Sequence, residues 1–329
     1  MPLRREVGWK KISGEVFRKP RWAFFFCVLV GAGMQCLLVL YSVLVCTIVD
    51  VFSPFDKGIY IGLTIAIFPF FGLFNGILAA RMYTFFNGSN WCGLGTAVCV
   101  FLPAVIGGGI LLIDFLETFD SAVHKILPAY EALTMFIFWL MVHVPCGIFG
   151  TMAGFYFSKI RPPTRVNRVP RDPLKSSALP IYMRDGTLCL VVGVVPVAVI
   201  IFEIQLILDN INGAENIHMI SWVTYFSICL FLMVTVQLAV TVNYMLLCYE
   251  EYRWWWKIWT YSASTGFFSF LVMLNYFLWD LKVDSIQTMI VYWVGCTMVC
   301  IVVGLMTSAA CITVTFQFNL FIYSNIKSD

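Results

Sequence analysis

Residues 22–49 read WAFFFCVLVGAGMQCLLVLYSVLVCTIV, an apolar stretch without a charged side chain. The segment that precedes it, Met1–Arg21, is rich in Lys and Arg. The hydrocarbon core of a bilayer is about 30 Å thick and needs about 20 apolar residues in a helix. Basic residues are retained on the cytoplasmic side during insertion. The stretch therefore predicts a first transmembrane helix, with its basic neighbour in the cytosol.

The same apolar unit recurs along the chain, which is 60% hydrophobic and 12% charged, with a mean hydropathy of +0.87. The predicted helices are Trp22–Val49, Lys57–Ala79, Trp91–Ile113, Glu131–Phe157, Thr187–Leu208, Met219–Cys248, Ile258–Trp279 and Ser285–Phe321. This pattern predicts an all-α polytopic membrane helix bundle of about eight transmembrane helices. The bundle spans residues 22–321, between an N-terminal segment (1–21) and a tail (322–329).

Charge fixes the expected orientation, because the Lys and Arg residues fall almost entirely in alternate gaps. The basic gaps are Met1–Arg21, Ala80–Asn90, Ser158–Gly186, Tyr249–Lys257 and the C-terminus, whereas the other gaps hold only Lys57, Lys125 and Lys282. We therefore expect both termini and the loop 158–186 in the cytosol. The net charge of +3 follows from this topology and gives no indication of nucleic-acid binding.

Residues that carry enzymatic chemistry are few. The chain has three histidines, His124, His143 and His218, and none forms a recognised catalytic or metal-binding motif. Cys296 and Cys300 stand one helical turn apart without a His or carboxylate close by in sequence. The sequence thus predicts neither an enzyme, nor a metal site, nor a cofactor.

Small and polar residues inside the spans are the candidate recognition residues. Gly150 and Gly154 form a GxxxG pair, which lets two helices approach closely. Gln35 and Gln237 would supply hydrogen bonds within the membrane. Such residues pack a bundle internally or receive a transmembrane helix of another protein, and the sequence leaves both alternatives open.

Glu203 is the one carboxylate that the pattern places inside a span, near the end of its helix. An acid in the membrane is a candidate functional residue, since its burial is costly. It could line the pathway of a transporter or pair with a polar neighbour.

Two adjacent acids stand on a predicted basic face, at Glu250 and Glu251. We expect them to form a structural latch by pairing with a basic residue of another cytoplasmic loop, such as Arg165, Arg168 or Arg171.

Four stretches resemble the membrane domain of the transmembrane 9 superfamily, also called nonaspanins or the endomembrane protein 70 family. They are GWKKISGEVFRKP with the following span (Gly8–Gln35), RVNRVPRDP (Arg165–Pro173), FEI (Phe202–Ile204) and LCYEEYRWWW (Leu247–Trp256). They are similar to the family's GWKxxHGDVFRPP, RTNQIPRQIP, FIEL and LCxEDYxWWW, in the same order.

The chain departs from the family pattern at three positions of the first stretch. This chain has Ser13 where the family pattern has a His, Glu15 where it has an Asp and Lys19 where it has a Pro. The family's signal peptide, lumenal domain and first span have no counterpart before residue 8. We therefore expect the eight helices to correspond to family spans two to nine, in a fragment or in a member without the lumenal half.

The resemblance implies a Golgi or endosomal protein that helps other transmembrane proteins reach the surface by recognising their helices. The C-terminal Lys327 and Asp329 resemble the family's KxD/E signal, which the COPI coat reads for Golgi retention. The implied partners are transmembrane cargo proteins, the COPI coat and the lipid bilayer. The alternative function is a secondary transporter or channel for a small solute or ion, with Glu203 in its pathway.

Overall fold

The computed structural model describes residues 8–49, 57–117, 129–171, 180–210, 217–279 and 286–325. Its α-helices are α1 (Gly8–Lys11), α2 (Ala23–Ile48), α3 (Lys57–Phe85), α4 (Trp91–Glu117), α5 (Ala129–Phe138), α6 (Val144–Tyr156), α7 (Asp185–Asn210), α8 (Ile217–Cys248), α9 (Trp254–Trp279) and α10 (Ile286–Ser324). A π-turn, Trp139–His143, joins α5 to α6, and a 3₁₀ turn, Ile181–Met183, precedes α7. No strand occurs in these ranges, which confirms the all-α prediction.

Seven of the long helical segments in the described part are long and apolar enough to cross a membrane: α2, α3, α4, the joined α5–α6, α7, α8 and α10. The remaining predicted helix, Ile258–Trp279, is present as α9 but is less apolar. Its buried face carries Ser262, Thr265 and Ser269. These hydroxyl residues meet neighbouring helices instead of lipid, and they lower the mean hydropathy of the segment.

The helix predicted at Lys57–Ala79 is longer in the structure, because α3 continues past Ala79 to Phe85. Arg81 therefore lies in the helix and not in a gap. Its guanidinium sits 5.8 Å from the ring centroid of Phe157, at the end of α6. A long side chain can extend its charge towards the membrane surface while its stem stays in the helix, so a single Arg does not end the segment.

The helix α2 lies at the centre of the bundle. Two thirds of its membrane window (67%) is buried, against 17–33% for the other six segments. It packs against α3 and α4 on one side and against α8 and α10 on the other, while α6 covers α3, and α7 and α9 flank α8 and α10.

Glycines set the closest helix contacts. A Cβ on Gly33 of α2 would collide with the carbonyl of Leu305 in α10. A Cβ on Gly150 of α6 would collide with the backbone of Leu73 in α3, and one on Gly154 would lie 2.6 Å from the Cβ of Ala80. The GxxxG pair thus packs α6 onto α3 within the chain, so the face that was a candidate for a cargo helix is already occupied.

The π-turn between α5 and α6 is explained by a proline. Pro145 stands at the start of α6 and has no N–H to continue the α-helical ladder. An extra residue in the turn accommodates this gap, and such turns often occur at functional positions. The imidazole of His143 ends the turn and stacks on Phe68, with 5.5 Å between ring centroids.

The packing of α6 on α3 predicts a difference between two glycine substitutions. Gly150→Ala should lower the free energy of unfolding by about 1–3 kcal/mol, because its methyl group meets backbone that cannot move independently. Gly107→Ala is the control, since nothing lies within 4 Å of its Cβ position. Thermal unfolding of the purified protein in detergent would measure both, and equal midpoints would contradict the close contact.

Candidate functional site

Three of the family-like stretches, distant in sequence, meet on one side of the bundle. We call this side the basic face, and it consists of Gly8–Arg21, residues 158–171 and Tyr249–Lys257. Hydrogen bonds connect each of these three segments to another, as the following contacts show. The fourth stretch, Phe202–Ile204, lies in α7.

The N-terminal segment is packed into the bundle, not laid on its surface. Ile12, Val16 and Phe17 are almost completely buried. The indole Nε1 of Trp254 donates to the carbonyl of Val16 at 3.0 Å. These contacts explain why the Trp run belongs to the fold: the first Trp is a buried hydrogen-bond donor, in addition to any interfacial role.

Two further aromatic donors hold the ends of the same segment. The hydroxyl of Tyr323, near the end of α10, donates to the carbonyl of Trp9 at 2.8 Å. Trp256 Nε1 donates to the carbonyl of Arg21 at 2.6 Å. The segment before α2 is therefore fixed by α9 and α10, which are far from it in sequence.

The loop after α6 is fixed onto the N-terminal segment by backbone contacts. The N–H of Asn167 donates to the carbonyl of Gly14 at 2.9 Å, and Thr164 Oγ1 donates to the carbonyl of Ser13 at 2.6 Å. Arg18 Nη2 donates to the carbonyl of Asn167 at 2.8 Å. Because Ser13 contributes its backbone carbonyl here, the loss of the family's His leaves this contact intact.

Glu15 keeps the negative charge of the family's Asp in a buried place. Its side chain is 1% exposed, and its Oε2 accepts from Arg18 Nε at 2.7 Å. The same Arg18 also reaches Asn167, so the pair joins the N-terminal segment to the loop.

The acidic residue Glu250 joins three segments: of the three arginines named above, its partner is Arg171, and Lys11 is a second partner that was not named. Its carboxylate lies 2.9 Å from Lys11 Nζ and 3.5 Å from Arg171 Nη1. Within the described ranges, Arg165 and Arg168 form no ion pair; both are exposed. Register explains the difference, because Tyr252 donates to the carbonyl of Arg171 at 3.0 Å and so brings that end of the loop to the acids.

Glu251 is buried in the same cluster. Its Oε2 lies 3.5 Å from Lys257 Nζ, and its Oε1 accepts from the N–H of Arg253 at 3.2 Å. Lys257 also lies 3.3 Å from Asp185 at the start of α7. On the same face, the hydrogen bond between the hydroxyls of Tyr182 and Tyr249 raises the pKa of Tyr249. The basic face is thus a connected network that fixes loops, and its acids act as structural partners.

Inside the bundle, Gln35 is completely buried and bonded within the chain. Its Nε2 donates to the carbonyl of Phe68 at 2.9 Å, and its Oε1 accepts from Asn75 Nδ2 at 2.9 Å. Gln35 therefore belongs to the polar core and has no free group for a cargo helix.

A second buried amide pair joins α8 to α10, where Asn243 Nδ2 donates to Asn319 Oδ1 at 2.8 Å. Asn319 was not among the predicted polar residues of the spans. Its spacing from Thr315 and Phe316 on one helical face, in a long apolar span, was the available signal.

Gln237 differs from the other predicted polar residues because it is exposed on the outer surface of α8. Met233 and Thr241, one turn away on each side, are exposed as well. Glu203 lies in α7, but its side chain is outside the part that the structure describes, as are Lys327 and Asp329 in the tail. The transporter hypothesis and the sorting signal therefore stay predictions.

The anchoring of the N-terminal segment can be tested with a single hydroxyl group. Tyr323→Phe removes the donor to the Trp9 carbonyl and should lower the free energy of unfolding by about 0.5–1.5 kcal/mol. It should also expose the chain at Lys10 and Lys11 to limited proteolysis. Tyr156→Phe is the control, since Tyr156 is 92% exposed. Equal cleavage in both variants would contradict the anchoring role.

Comparison with known proteins identifies the family. The model of the Endomembrane protein 70 family matches residues 2–286. Transmembrane 9 superfamily member 9 of Arabidopsis thaliana is 25% identical over 98% of this chain and 50% of the relative. Transmembrane 9 superfamily member 2 of Homo sapiens is 26% identical over 98% of this chain and 48% of the relative. No solved structure matches.

The chain spans about half the length of the curated relatives that it matches. The matched part holds the segments that form the basic face and all but the last of the long helices. This multi-pass membrane protein therefore belongs to the Endomembrane protein 70 family, whose relatives carry the name transmembrane 9 superfamily.

Proposed function

We propose that this chain acts in Golgi or endosomal membranes, where it assists the sorting and surface delivery of other transmembrane proteins by recognising their transmembrane helices. Membership of the Endomembrane protein 70 family supports an endomembrane location. The observation that carries the recognition step is an amide on the outer surface of α8, at Gln237.

The depth of Gln237 makes its exposure unusual. It stands eleven residues before Cys248, the last residue of α8. At 1.5 Å per residue this is about 16 Å from the helix end, and the hydrocarbon core is about 30 Å thick. The amide therefore lies near the middle of the bilayer, where lipid offers it no hydrogen-bond partner.

An amide without a partner in the described part of the chain favours, at this depth, the approach of a helix that carries its own polar group. Hydrogen bonds between transmembrane helices contribute about 0.6–2 kcal/mol each. Because helix association in lipid depends on such bonds and on close packing, a single amide can select polar helices over apolar ones. Met233, 65% exposed on the same face, offers an adaptable apolar contact beside it.

The other candidate residues have different tasks in this proposal. Gln35, Gly150 and Gly154 hold the bundle together, because their contacts are made within the chain. A cargo helix would thus meet the outer surface of α8, whereas the α3–α6 interface serves the packing of the bundle.

Gln237→Leu should reduce the recovery of a co-expressed membrane protein whose transmembrane helix carries a polar residue. We expect a reduction of about 3–10-fold, from the loss of one hydrogen bond of about 0.6–1.4 kcal/mol. Met245→Leu is the control, since Met245 is exposed on α8 two turns from Gln237 and the change keeps an apolar side chain of similar volume. Co-purification followed by quantitative blotting would measure both. Equal recovery from the two variants would rule out recognition through this amide.

Orientation and compartment form the second part of the proposal. The basic face would lie in the cytosol, in agreement with the distribution of Lys and Arg, and the tail would emerge on the same side. There Lys327 and Asp329 would bind the COPI coat, in which the Lys ammonium and the terminal carboxylates supply the recognised charges. This binding would return the protein to the Golgi.

Replacing both tail residues, by Lys327→Ala with Asp329→Ala, should shift the protein from the Golgi to later compartments. Quantitative imaging of the full-length chain against a Golgi marker would measure the shift. Ser328→Ala is the control, because it changes the residue between the two without changing charge. An unchanged distribution of the double variant would exclude a coat-read signal and would leave the Gln237 test unaffected.

A further inference from the structure

A groove on the outer surface of the bundle has no role in the contacts described above. It lies between α4 and the joined α5–α6, and its volume is about 370 Å³. It is lined by residues of the first half of α4, of the π-turn and of α6, among them Trp91, Thr96, Cys99, Trp139 and Thr151.

A proline and a tryptophan build the back of the groove. Pro103 has no N–H to donate to the carbonyl of Cys99, one turn earlier in α4. The indole Nε1 of Trp139 donates to that carbonyl instead, at 3.0 Å. The indole ring of Trp139 thus lies between α4 and the joined α5–α6 and sets the distance between them. This distance leaves the groove open towards the start of α4.

Three polar groups that line the groove have partners in the chain. Thr96 Oγ1 donates to the carbonyl of Cys92 at 2.6 Å, and Thr151 Oγ1 donates to the carbonyl of Gly147 at 2.8 Å. With the Trp139 indole also bonded, the wall presents hydrocarbon, thiol and aromatic surface. Such a wall fits an apolar ligand that needs no hydrogen bond.

The volume fits a lipid chain better than a protein helix. A helix with its side chains is about 10–12 Å wide, so 370 Å³ would hold only about 3–5 Å of its length. A single acyl chain is narrow and flexible, and this volume is within the range of about 300–1,000 Å³ that is usual for small-ligand pockets.

Positive charge lies beyond one end of the groove. The contacts of Gly95 with Thr151 and of Gly147 with Cys99 show that α4 and α6 run antiparallel, so Trp91 lies level with the end of α6. Arg81 lies over Phe157 at this level, and the exposed Lys159 follows directly. Lys159 forms no ion pair with any residue within the described ranges. An ammonium group at the membrane surface attracts the phosphate or carboxylate of an anionic headgroup.

We propose that this groove binds one acyl chain of an anionic glycerophospholipid from the leaflet on the basic face. The chain lies along Trp139 and Thr96, and the headgroup is held beside Trp91 and Lys159. The Trp91 ring, at the start of α4, occupies the headgroup level as interfacial tryptophans do. This site is separate from the outer face of α8, so it holds whether or not cargo is recognised there.

A photoreactive lipid tests the site in the full chain. The protein is reconstituted in phosphatidylcholine vesicles that contain a small fraction of phosphatidylserine with a diazirine in one acyl chain. After illumination, peptide mass spectrometry locates the labels. We expect them to concentrate in residues 91–100 and 139–151, compared with other lipid-facing surfaces such as the outer face of α8.

Two matched pairs of variants separate the chain site from the headgroup site. Thr96→Phe fills the groove and should lower this labelling by about tenfold, the change that a loss of about 1.4 kcal/mol of binding produces. Ala104→Phe, exposed on the same helix two turns further, should leave it unchanged. Lys159→Gln should remove the preference for phosphatidylserine over a phosphatidylcholine probe, whereas Arg184→Gln at the start of α7 should keep it.

Each outcome decides the proposal. Labels that are spread evenly over all lipid-facing helices would indicate contact with bulk lipid only and would overturn the proposal. Labelling of the groove that Thr96→Phe leaves unchanged would overturn it as well. Concentrated labels with equal use of both headgroups would overturn the anionic preference and retain a chain-binding groove. Thermal unfolding of Thr96→Phe shows whether the variant is folded. If its midpoint falls, the distribution of labels in the unsubstituted chain and the Lys159→Gln pair decide the proposal.

Discussion

Close backbone contact at small residues is the interaction on which this bundle depends. Lipid tails are as apolar as the side chains that they touch, so transmembrane helices gain little from hiding apolar surface and associate by packing and hydrogen bonds. The central helix α2 meets α10 at Gly33, where the Leu305 carbonyl fills the space of a side chain. At Gly150, α6 meets the backbone of α3 in the same way. Once backbones approach this closely, buried amides such as Gln35 and Asn75 come within bonding distance of each other.

The basic face meets a second constraint: a helix bundle in a fluid bilayer must also fix how its helices are arranged relative to one another. The segment before α2 passes beneath the ends of α9 and α10 and is bonded to Trp254 and Tyr323. The loop after α6 is bonded to that segment in turn, at Gly14. Stretches that stand far apart in the sequence are therefore parts of one contact network. This network gives a physical reason why the resemblance to the family is concentrated in these stretches. Their first role is to hold the fold together.

Helix positions were predictable from the sequence because a bilayer imposes a length and a composition, and charge marks the gaps. The predicted helix bounds and hydropathy were least accurate where a polar or charged side chain lies within a membrane helix. Arg81 does not end α3, since it rests on Phe157, and α9 is less apolar than the other spans because hydroxyl residues such as Thr265 face its neighbours. The expected latch depended on loop register. A one-dimensional pattern of charges could not show that Arg171, and not Arg165, lies beside Glu250.

The candidate site was less predictable, because the same residue types serve both inside and outside a membrane bundle. Gln35 and Gln237 are equivalent in an apolar sequence, yet one is bonded to α3 and the other faces outward. The GxxxG pair likewise could not show whether its partner was a helix of this chain. The groove depends on Pro103 and Trp139, which belong to different helices and meet at one carbonyl. In lipid a backbone group without a partner is costly, so the break at Pro103 attracts a side chain from the neighbouring helix. Because the indole of Trp139 is large, its hydrogen bond to this carbonyl also holds the two helices apart. The space between them can then hold a lipid chain.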